Sequence, residues 1–339
     1  MVSIPHQVSE LDRAGSRVVL GLDIGGTKLA AGVVDERGTL RSFLRVPTDR
    51  LSGGWELSVR TLLELGDAAL EAAGVRTTAL LSVGIGSGGP LDPASGMILR
   101  PPNLPDWDEV PIARLVAEHF DRPAHLENDA NAAVLASARW GSWAGIADIV
   151  YITVSTGIGG GVLVDGRLLR GTAGNVGELG HTVIAWRGRP CTCGQLGCVE
   201  AYVSGSSIAR RAAEGVAAGR RTPLAQLPFV TAADVSTAAA AGDVFAREIW
   251  DDTTSILGVL VTSILNLFEP RVVILGGGVT EAGSALIDPI RRYAVAHAMS
   301  PAGREADVVI SEHGAAIGVL GSAAVALERA ALESLVSAG

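Results

Sequence analysis

The sequence predicts an α/β fold built from two similar lobes. Segments rich in β-branched residues alternate with segments whose apolar residues recur at i, i+3 and i+4, which is typical of sheets covered by helices. A pattern of strand, Gly/Thr turn, strand, Asp–Gly turn and strand occurs twice, about 130 residues apart, and such similarity indicates an internal duplication. The length of 339 residues and the apolar share of 48% allow two domains, each with its own core.

The first copy of the repeat follows residues 1–16, a polar stretch that we expect to form a flexible tail. Gly25-Gly26-Thr27 and the run from Asp35 to Gly38 supply the turns of this copy. We predict strands at 17–24, 29–34, 39–46 and 80–85, and a helix at 55–73.

The second copy begins at residue 148 and leads into a region rich in helices. Ser155-Thr156-Gly157 and Asp165-Gly166 supply its turns. Two unrelated β-meanders are the alternative, and the repeated order of turn residues favours duplication. We predict strands at 148–154, 160–164, 168–169, 271–275 and 307–310, and helices at 200–219, 244–268, 286–298 and 315–327.

Composition excludes several classes of partner. The net charge of −9 and the pI of about 5.2 argue against nucleic acid or an anionic membrane surface as the main partner. The first 17 residues lack the apolar segment of a secretory signal, and the longest apolar run, at 256–268, is too short to span a bilayer. Three cysteines are too few for a secreted domain stapled by disulfides. We therefore expect a soluble protein of the reducing cytoplasm.

Three glycine-rich turns that end predicted strands are candidates for binding nucleotide phosphates. Small residues let backbone N–H groups approach phosphate closely, and threonine adds a hydroxyl donor. Asp23 would repel phosphate unless a cation such as Mg²⁺ lay between them. None of the turns has the P-loop pattern, and each alone is more often only a turn. The candidates are Asp23, Gly25, Gly26, Thr27, Lys28, Thr156, Gly157, Gly159, Gly276, Gly277 and Gly278.

The run ENDAN, residues 127–131, joins a predicted strand end to a predicted helix. Asp129 therefore lies at or near a helix N-terminus, where the helix dipole keeps a carboxylate ionised. The alternative is that Asp129 is a plain N-cap, which is the commoner role of an isolated aspartate at this place. Asn128, which is also placed for hydrogen bonding, favours a functional role.

All three cysteines fall within eight residues and follow a histidine. The ligands His181, Cys191, Cys193 and Cys198 would complete a closed tetrahedral zinc site, which is structural rather than catalytic. Buried thiols and a reactive redox pair are the alternatives, but Cys-x-Cys differs from the usual redox spacing. Glu178 and Glu200 bracket this loop, and zinc would fix both carboxylates in space for the recognition of hydroxyl groups. The alternative for each is a solvated surface acid.

Seven motifs in this order resemble those of the ROK family of sugar kinases and repressors, in particular its glucokinase branch. They are DIGGTK, NLPDW, ENDANAA, STGIGGG, GELGH, CTCGQLGCVEA and ILGGGV. The resemblance runs from about residue 18 to 327 and implies the actin-like, RNase-H-like pair of lobes. We accordingly expect a small lobe at 17–124 plus 315–333, and a large lobe at 125–314 that carries the zinc loop and the sugar site.

The resemblance also implies roles for particular residues. Asp129 would be the catalytic base, His181 and the three cysteines would hold zinc, and the glycine-rich turns would bind ATP. Ser137 and Ser155 depart from residues common in the family, which leaves helix packing and phosphate geometry in question. The residues implied to contact the sugar are Gly88, Gly89, Asn103, Asn128, Asp129, Glu178, His181 and Glu200.

The implied reaction is transfer of the γ-phosphoryl group of ATP to the 6-hydroxyl of glucose. Kinases of N-acetylmannosamine or of other hexoses share these motifs and remain alternatives, as does a polyphosphate-using glucokinase, although such relatives typically lack the cysteine cluster. A sugar-responsive repressor is less favoured, because we expect 16 residues to be too few for a DNA-binding helix-turn-helix module. A homodimer or homotetramer is expected by resemblance alone.

Overall fold

A computed structural model describes residues 17–47, 54–101, 104 and 106–337. The expected tail at 1–16 and the candidate Asn103 lie outside the described residues. The strands are β1 (Val18–Ile24), β2 (Lys28–Asp35), β3 (Leu44–Pro47), β4 (Leu80–Ser87), β5 (Leu91–Asp92), β6 (Met97–Ile98), β7 (Ala124–Asn128), β8 (Ile149–Val154), β9 (Ile158–Val164), β10 (Arg167–Leu168), β11 (Val272–Gly276) and β12 (Asp307–Ile310). The helices are α1 (Gly54–Ala73), α2 (Ile112–Phe120), α3 (Asp129–Arg139), α4 (Glu200–Val203), α5 (Gly205–Ala217), α6 (Ala232–Ala240), α7 (Val244–Phe268), α8 (Ser284–His297), α9 (Pro301–Glu305) and α10 (Ile317–Ser337).

Two five-stranded sheets have the same strand order. The first is β3-β2-β1-β4-β7 and the second is β10-β9-β8-β11-β12. In each sheet the central strand pairs antiparallel with the strand that follows it and parallel with the next long strand, which in turn pairs parallel with the last. The predicted α/β fold with an internal duplication is therefore confirmed.

Among the described residues, the chain divides into two compact units. The first unit contains residues 17–145, 168–176 and 315–337, and the second contains 146–167 and 177–314. This division differs from the expected lobes in residues 125–145 and 168–176, which belong to the first unit. The reason is that β7 pairs with β4 in the first sheet, and α3 continues from β7.

The first unit has a core on each face of its sheet. Side chains alternate along β1, so that Leu20 and Leu22 face a cluster that includes α1 and α2, whereas Val19 faces a cluster with α3 and α10. Helix α10 approaches the sheet so closely that a Cβ on Gly84 would lie 1.7 Å from the carbonyl oxygen of Ser322. Only glycine fits there.

Helix α10 belongs to the one described segment, Gly314–Leu335, that is long and apolar enough to cross a membrane. Half of its most apolar window is buried inside the protein. The Ser322 hydroxyl donates a 2.7 Å hydrogen bond to the carbonyl of Leu22 in β1. These contacts identify α10 as a core helix of the first unit.

Two predicted elements are shorter than expected, and a side chain explains each difference. The strand expected at 39–46 starts only at Leu44. The reason is that Ser42 Oγ accepts a 3.1 Å hydrogen bond from the Val33 N–H, in place of a backbone carbonyl of the neighbouring strand. The helix expected at 200–219 breaks at Ser204, which has a ψ of 154° and whose hydroxyl caps α5 by accepting from the Ser207 N–H.

The second unit contains a longer insertion between its third and fourth sheet strands than the first unit has. The insertion holds the cysteine loop and helices α4 to α7, whereas the described residues between β3 and β4 of the first unit hold one α-helix, α1. The apolar run at 256–268 lies within α7, which buries Leu257, Leu260 and Ile264, as predicted for a buried helix. Helices α2, α6 and α9 and the β5–β6 hairpin were not predicted.

Candidate active site

The β1–β2 turn places a carboxylate beside an exposed glycine-rich tip. Asp23 is 7% exposed, whereas Gly26 and Thr27 are exposed at the tip. Burial raises the pKa of Asp23 above its ordinary value, and Lys28, whose Nζ lies 3.7 Å from Asp23 Oδ2, partly offsets that rise. A buried carboxylate with one half-exposed cation nearby is a site that gains from further positive charge, so it fits the predicted Mg²⁺ near this turn.

At the β7–α3 junction, two neighbouring residues have different roles, the helix cap and the first helical residue. Asn128 is the N-cap of α3, because its Oδ1 accepts from the N–H groups of Ala130 at 3.0 Å and Asn131 at 3.2 Å. Asp129 is the first helical residue, and its Oδ1 accepts from the Ala130 N–H at 2.8 Å. The plain N-cap alternative for Asp129 is therefore wrong, since Asn128 occupies the cap position.

A buried ion pair lies directly behind this junction, and the sequence did not reveal it. Glu127, which is fully buried, accepts from the Asn128 N–H and from Asn131 Nδ2, both at 3.1 Å. Its other oxygen lies 2.9 Å from Arg170 Nε, and Arg170 Nη2 reaches Glu328 in α10 at 3.0 Å. Burial lowers the pKa of Arg170, but Glu127 and Glu328 outweigh that effect and raise it. A partner 43 residues away has no local sequence signal.

The loop after β4 lies next to the same junction. The place that a Cβ on Gly89 would occupy is 3.8 Å from Asn128 Nδ2 and 3.5 Å from Asn175 Oδ1. Asn175 also holds β5, since its Oδ1 accepts from the Leu91 N–H at 3.2 Å and its Nδ2 donates to the Leu91 carbonyl at 3.1 Å. The structure thus brings Gly89 and Asn128 together, and it adds Asn175, which the sequence did not single out.

The second unit brings the four predicted zinc ligands together. Their ligand atoms all lie within 4.8 Å of one another. His181 Nδ1 is 3.6 Å from Cys191 Sγ, and Cys193 Sγ is 3.7 Å from Cys198 Sγ. Tetrahedral zinc with Zn–S bonds of about 2.3 Å requires ligand separations of about 3.7 Å, whereas a disulfide requires about 2.05 Å. The donor set and the spacing both fit Zn²⁺.

The electrostatics of this cluster also favour a cation. Burial and the neighbouring thiols raise the pKa of Cys198 to about 12, so this thiol needs a strong positive charge to become a thiolate ligand. At Cys193, burial acts in the same direction, but the Gln195 N–H and the neighbouring thiols outweigh it and lower the pKa. A bound metal ion would supply the positive charge that Cys198 lacks.

The two acids predicted to bracket the cysteine loop lie beside the cluster. Glu178 Oε2 is 3.7 Å from His181 Nε2, the nitrogen that does not face the sulfur atoms. Partial burial raises the pKa of Glu178, and the negative charge of Glu200 adds to that rise, while His181 opposes it. The carboxylate of Glu178 can therefore orient the histidine ring, as outer carboxylates do in zinc sites.

Glu200 has a second neighbour that the sequence did not predict. Its Oε2 accepts from the Ile158 N–H at 2.8 Å, so it contacts the turn between β8 and β9. This turn holds the candidates Thr156 and Gly157. Gly276, at the end of β11, pairs with Thr153 in β8, so the glycine-rich turns after β8 and β11 leave the same edge of the second sheet.

Of the two departures from the family pattern, Ser137 has a side-chain hydrogen bond and Ser155 a backbone one. The buried Ser137 donates from its hydroxyl to the Ala133 carbonyl at 2.9 Å, one turn earlier in α3. Ser155 accepts at its carbonyl from the Gly205 N–H at 2.7 Å. Helix α3 thus satisfies the hydroxyl of Ser137, whereas the bond at Ser155 does not depend on the side chain.

Comparison with known proteins gives matches over nearly the whole chain. A model described as the ROK family matches residues 19–329. The glucokinase of Thermotoga maritima is 36% identical over 320 residues, which cover 92% of this chain and 98% of that protein. An N-acetylmannosamine kinase of Escherichia coli O157:H7 is 33% identical and covers 91% of this chain and 97% of its own length. A xylose repressor of Caldicellulosiruptor bescii, 31% identical over 70% of this chain, matches over only 60% of its own length.

Solved structures agree with these matches. A ROK family glucokinase from Streptomyces griseus, in complex with glucose and AMPPNP, is 33% identical and has a TM-score of 0.79. A ROK hexokinase from Thermus thermophilus is 38% identical with a TM-score of 0.74. Each comparison covers 92% of this chain and 99% of the solved chain.

Proposed function

Since this chain belongs to the ROK family, we propose that it is an ATP-dependent hexokinase that phosphorylates the 6-hydroxyl of glucose. The proposal rests on full-length similarity to glucokinases, among them one whose structure holds glucose and AMPPNP. It makes the protein a soluble cytoplasmic phosphotransferase with ATP and a hexose as its small-molecule partners. A homodimer or homotetramer is part of the proposal by resemblance.

The observation that carries the chemistry is that Asn128, and not Asp129, caps α3. Asp129 is the first residue of α3, so its carboxylate lies at the N-terminal end of the helix. The helix dipole at that end stabilises its ionised form. Asp129 is therefore the residue that we assign as the general base.

Proton transfer from the sugar is the step that Asp129 would perform. In a loose phosphoryl-transfer transition state the alcohol need not ionise beforehand. Asp129 would accept a hydrogen bond from the 6-hydroxyl, orient its oxygen, and take the proton as the new P–O bond forms. An aspartate is a weak base, but the hydroxyl becomes acidic as that bond develops, so a weak base suffices.

The remaining residues divide into sugar and nucleotide contacts. We assign Gly88, Gly89, Asn103 and Asn128, with Glu178, His181 and Glu200, to the sugar hydroxyls. The turn residues Asp23, Gly25, Gly26, Thr27 and Lys28, with Thr156, Gly157, Gly159 and Gly276 to Gly278, are assigned to ATP, because backbone N–H groups at such turns bind phosphate oxygens.

Two metal ions belong to the proposal. Zn²⁺ held by His181, Cys191, Cys193 and Cys198 would fix the loop that carries Glu178 and Glu200. Mg²⁺ would enter with ATP and neutralise charge on its phosphates. Asp23, buried and close to the β1–β2 turn, is the carboxylate that we assign to interact with it through water.

Glucose is favoured over N-acetylmannosamine on physical grounds as well as by similarity. A pocket that pairs each hydroxyl with a carboxylate or amide loses about 1–3 kcal/mol when a buried partner is left unpaired. An N-acetyl group at C2 also needs added volume and a partner for its carbonyl. None of the residues that we assign to the sugar is proposed as a partner for an N-acetyl carbonyl.

Coupled kinase assays with zinc-loaded protein test this proposal. We expect kcat/KM with Mg·ATP to be highest for glucose, lower for mannose and glucosamine, and near background for N-acetylmannosamine. Replacing ATP by polyphosphate should abolish most turnover. A preference for N-acetylmannosamine would contradict the substrate assignment, and absence of turnover with every hexose would contradict the kinase assignment.

A further inference from the structure

We propose that Glu200 is a positioning residue for the nucleotide, because it fastens the turn between β8 and β9 to the zinc loop. The nucleotide part of this inference rests on the proposed function, whereas the fastening itself does not. Glu200 is the first residue of α4 and follows the ligand Cys198 by two positions. It therefore starts from a backbone that the zinc ligands fix.

The two oxygens of Glu200 face different parts of the second unit. Oε2 accepts from the Ile158 N–H at 2.8 Å, a hydrogen bond to a charged acceptor, which is stronger than one between neutral groups. Oε1 lies 3.5 Å from Thr192 Oγ1 and 4.0 Å from Cys191 Sγ, both in the cysteine loop. One carboxylate thus bridges the cysteine loop and the turn.

Gly157 makes this contact possible. A Cβ at Gly157 would lie 2.7 Å from Glu200 Oε2, so any side chain there would push the carboxylate away from the Ile158 N–H. Gly157 has no positive φ among the described backbone angles, so its conformation does not require glycine. The close approach of Glu200 is the reason for a glycine at this position.

The following residues fasten the same turn at two more points. The Gly205 N–H donates to the Ser155 carbonyl, and Ser206 Oγ donates to the Thr156 carbonyl, both at 2.7 Å. Gly205 and Ser206 begin α5, which follows the zinc loop and α4 directly. The residues assigned to phosphate binding therefore depend on groups from the segment that zinc organises.

A matched pair of variants separates this role from sugar binding. Glu200→Gln keeps an oxygen that can accept from the Ile158 N–H, whereas Glu200→Ala removes every acceptor. Both variants change the group assigned to the sugar, so both should raise KM for glucose. Only Glu200→Ala should loosen the turn and raise the Kd for AMPPNP with Mg²⁺, by about 10-fold, as expected for loss of a charged hydrogen bond. The Kd of Glu200→Gln for AMPPNP with Mg²⁺ should stay within about threefold of that of the unmodified protein.

Amide hydrogen exchange of the full-length, zinc-loaded protein tests the fastening without any ligand. We expect Glu200→Ala to speed exchange in a peptide over residues 155–159 by about 10-fold or more, and Glu200→Gln to leave it near the unmodified protein. Exchange at the β1–β2 turn should be unchanged in both variants. Elemental analysis is the control, and it should show one zinc per chain in each variant.

Gly157→Ala provides a second route if Glu200→Ala does not fold. It leaves all zinc ligands and Glu200 in place but displaces the carboxylate, so it should speed exchange in the same peptide. Unchanged exchange in both Glu200→Ala and Gly157→Ala, or equal acceleration in Glu200→Ala and Glu200→Gln, would overturn the inference. A protein that shows the expected exchange pattern but phosphorylates no hexose would refute the proposed function and leave the fastening intact.

Discussion

The two sheets share one strand order but differ in what holds their first turns. In the first unit, the Gly25 N–H donates to the Lys28 carbonyl at 2.9 Å across the β1–β2 turn. The side chain of Lys28 lies beside that of Asp23. In the second unit the β8–β9 turn has a similar internal bond, from the Ser155 N–H to the Gly157 carbonyl at 2.9 Å. It also contacts three residues of the inserted segment, Glu200, Gly205 and Ser206. The two turns thus share an internal hydrogen bond, and the second turn adds contacts from the inserted segment.

The ends of the last strands show a second difference. Strand β7 is followed by Asp129, whereas β12 is followed at the corresponding place by Ser311, whose buried hydroxyl has no hydrogen-bond partner among the described residues. The same topological position is therefore followed by the carboxylate that we assign as the base in one unit and by a hydroxyl in the other.

The largest expected effect tests this contrast between strand ends. Asp129→Asn should lower kcat by about 10²–10⁴-fold, because the amide cannot accept the proton of the sugar hydroxyl. Asn128 remains as the cap, so the unfolding temperature should change little. The measurement is steady-state kinetics with glucose and Mg·ATP, together with thermal unfolding.

Ser311→Ala is the matched control at the second strand end. Removal of a hydroxyl without a partner among the described residues should leave kcat within about twofold. Near-normal kcat in Asp129→Asn would show that the base lies elsewhere, and a large loss in Ser311→Ala would show that both strand ends take part.

The second effect concerns the inserted loop. Cys193 is exposed, so Cys193→Ser removes a ligand without opening a core cavity. We expect the unmodified protein to hold one zinc per chain. The variant should lose zinc affinity by more than the roughly 10–100-fold that removal of an outer-shell partner costs. Because zinc binding contributes to folding, its unfolding temperature should fall, and hydrogen exchange should rise around residues 181–200.

Thr192→Ala is the control for the zinc site, since it changes an exposed neighbour and keeps all four ligands. It should retain zinc and show nearly the same unfolding temperature as the unmodified protein. A metal-free unmodified protein with full activity and an unchanged unfolding temperature would disprove a structural role for zinc.

Much of the fold could be predicted because its signals are local. Strand β1, helix α1 and helix α7 follow from runs of apolar residues with the period of their element. The repeat of turn residues predicted the duplicated sheets. The zinc ligands could be predicted as a set because they cluster within 18 residues of sequence, from His181 to Cys198.

What the sequence could not reveal depends on particular side-chain hydrogen bonds, some of them local and some between distant segments. Ser42 delays the start of a strand by replacing a ladder hydrogen bond, and Ser204 breaks a helix by capping the next one, although both segments have suitable apolar patterns. Glu200 was predicted beside the zinc loop, but its contact with Ile158 spans 42 residues. Residues 125–145 were expected in the large lobe, since a helical pattern does not state which sheet it will cover.

The smallest expected effect on turnover concerns Arg170, whose partner Glu127 binds the residue before Asp129. Arg170→Met leaves the fully buried carboxylate of Glu127 without its cation, and breaking such a pair costs about 3–5 kcal/mol of unfolding free energy. Glu127 binds the Asn128 N–H and Asn131 Nδ2, so its displacement shifts the first turn of α3. Misplacement of the base should lower kcat by about 10-fold, less than its removal does.

Two further variants separate positioning by Arg170 from a general loss of stability. Glu328→Gln removes only the outer partner of Arg170, which is partly exposed, so it should cost less than about 1 kcal/mol and leave kcat within twofold. The double variant Glu127→Gln/Arg170→Met replaces the ion pair by neutral groups and should recover much of the stability that Arg170→Met loses. Urea unfolding and steady-state kinetics on the three variants give both quantities. If kcat of Arg170→Met equals that of the unmodified protein while its stability falls, the ion pair holds the fold but does not position Asp129.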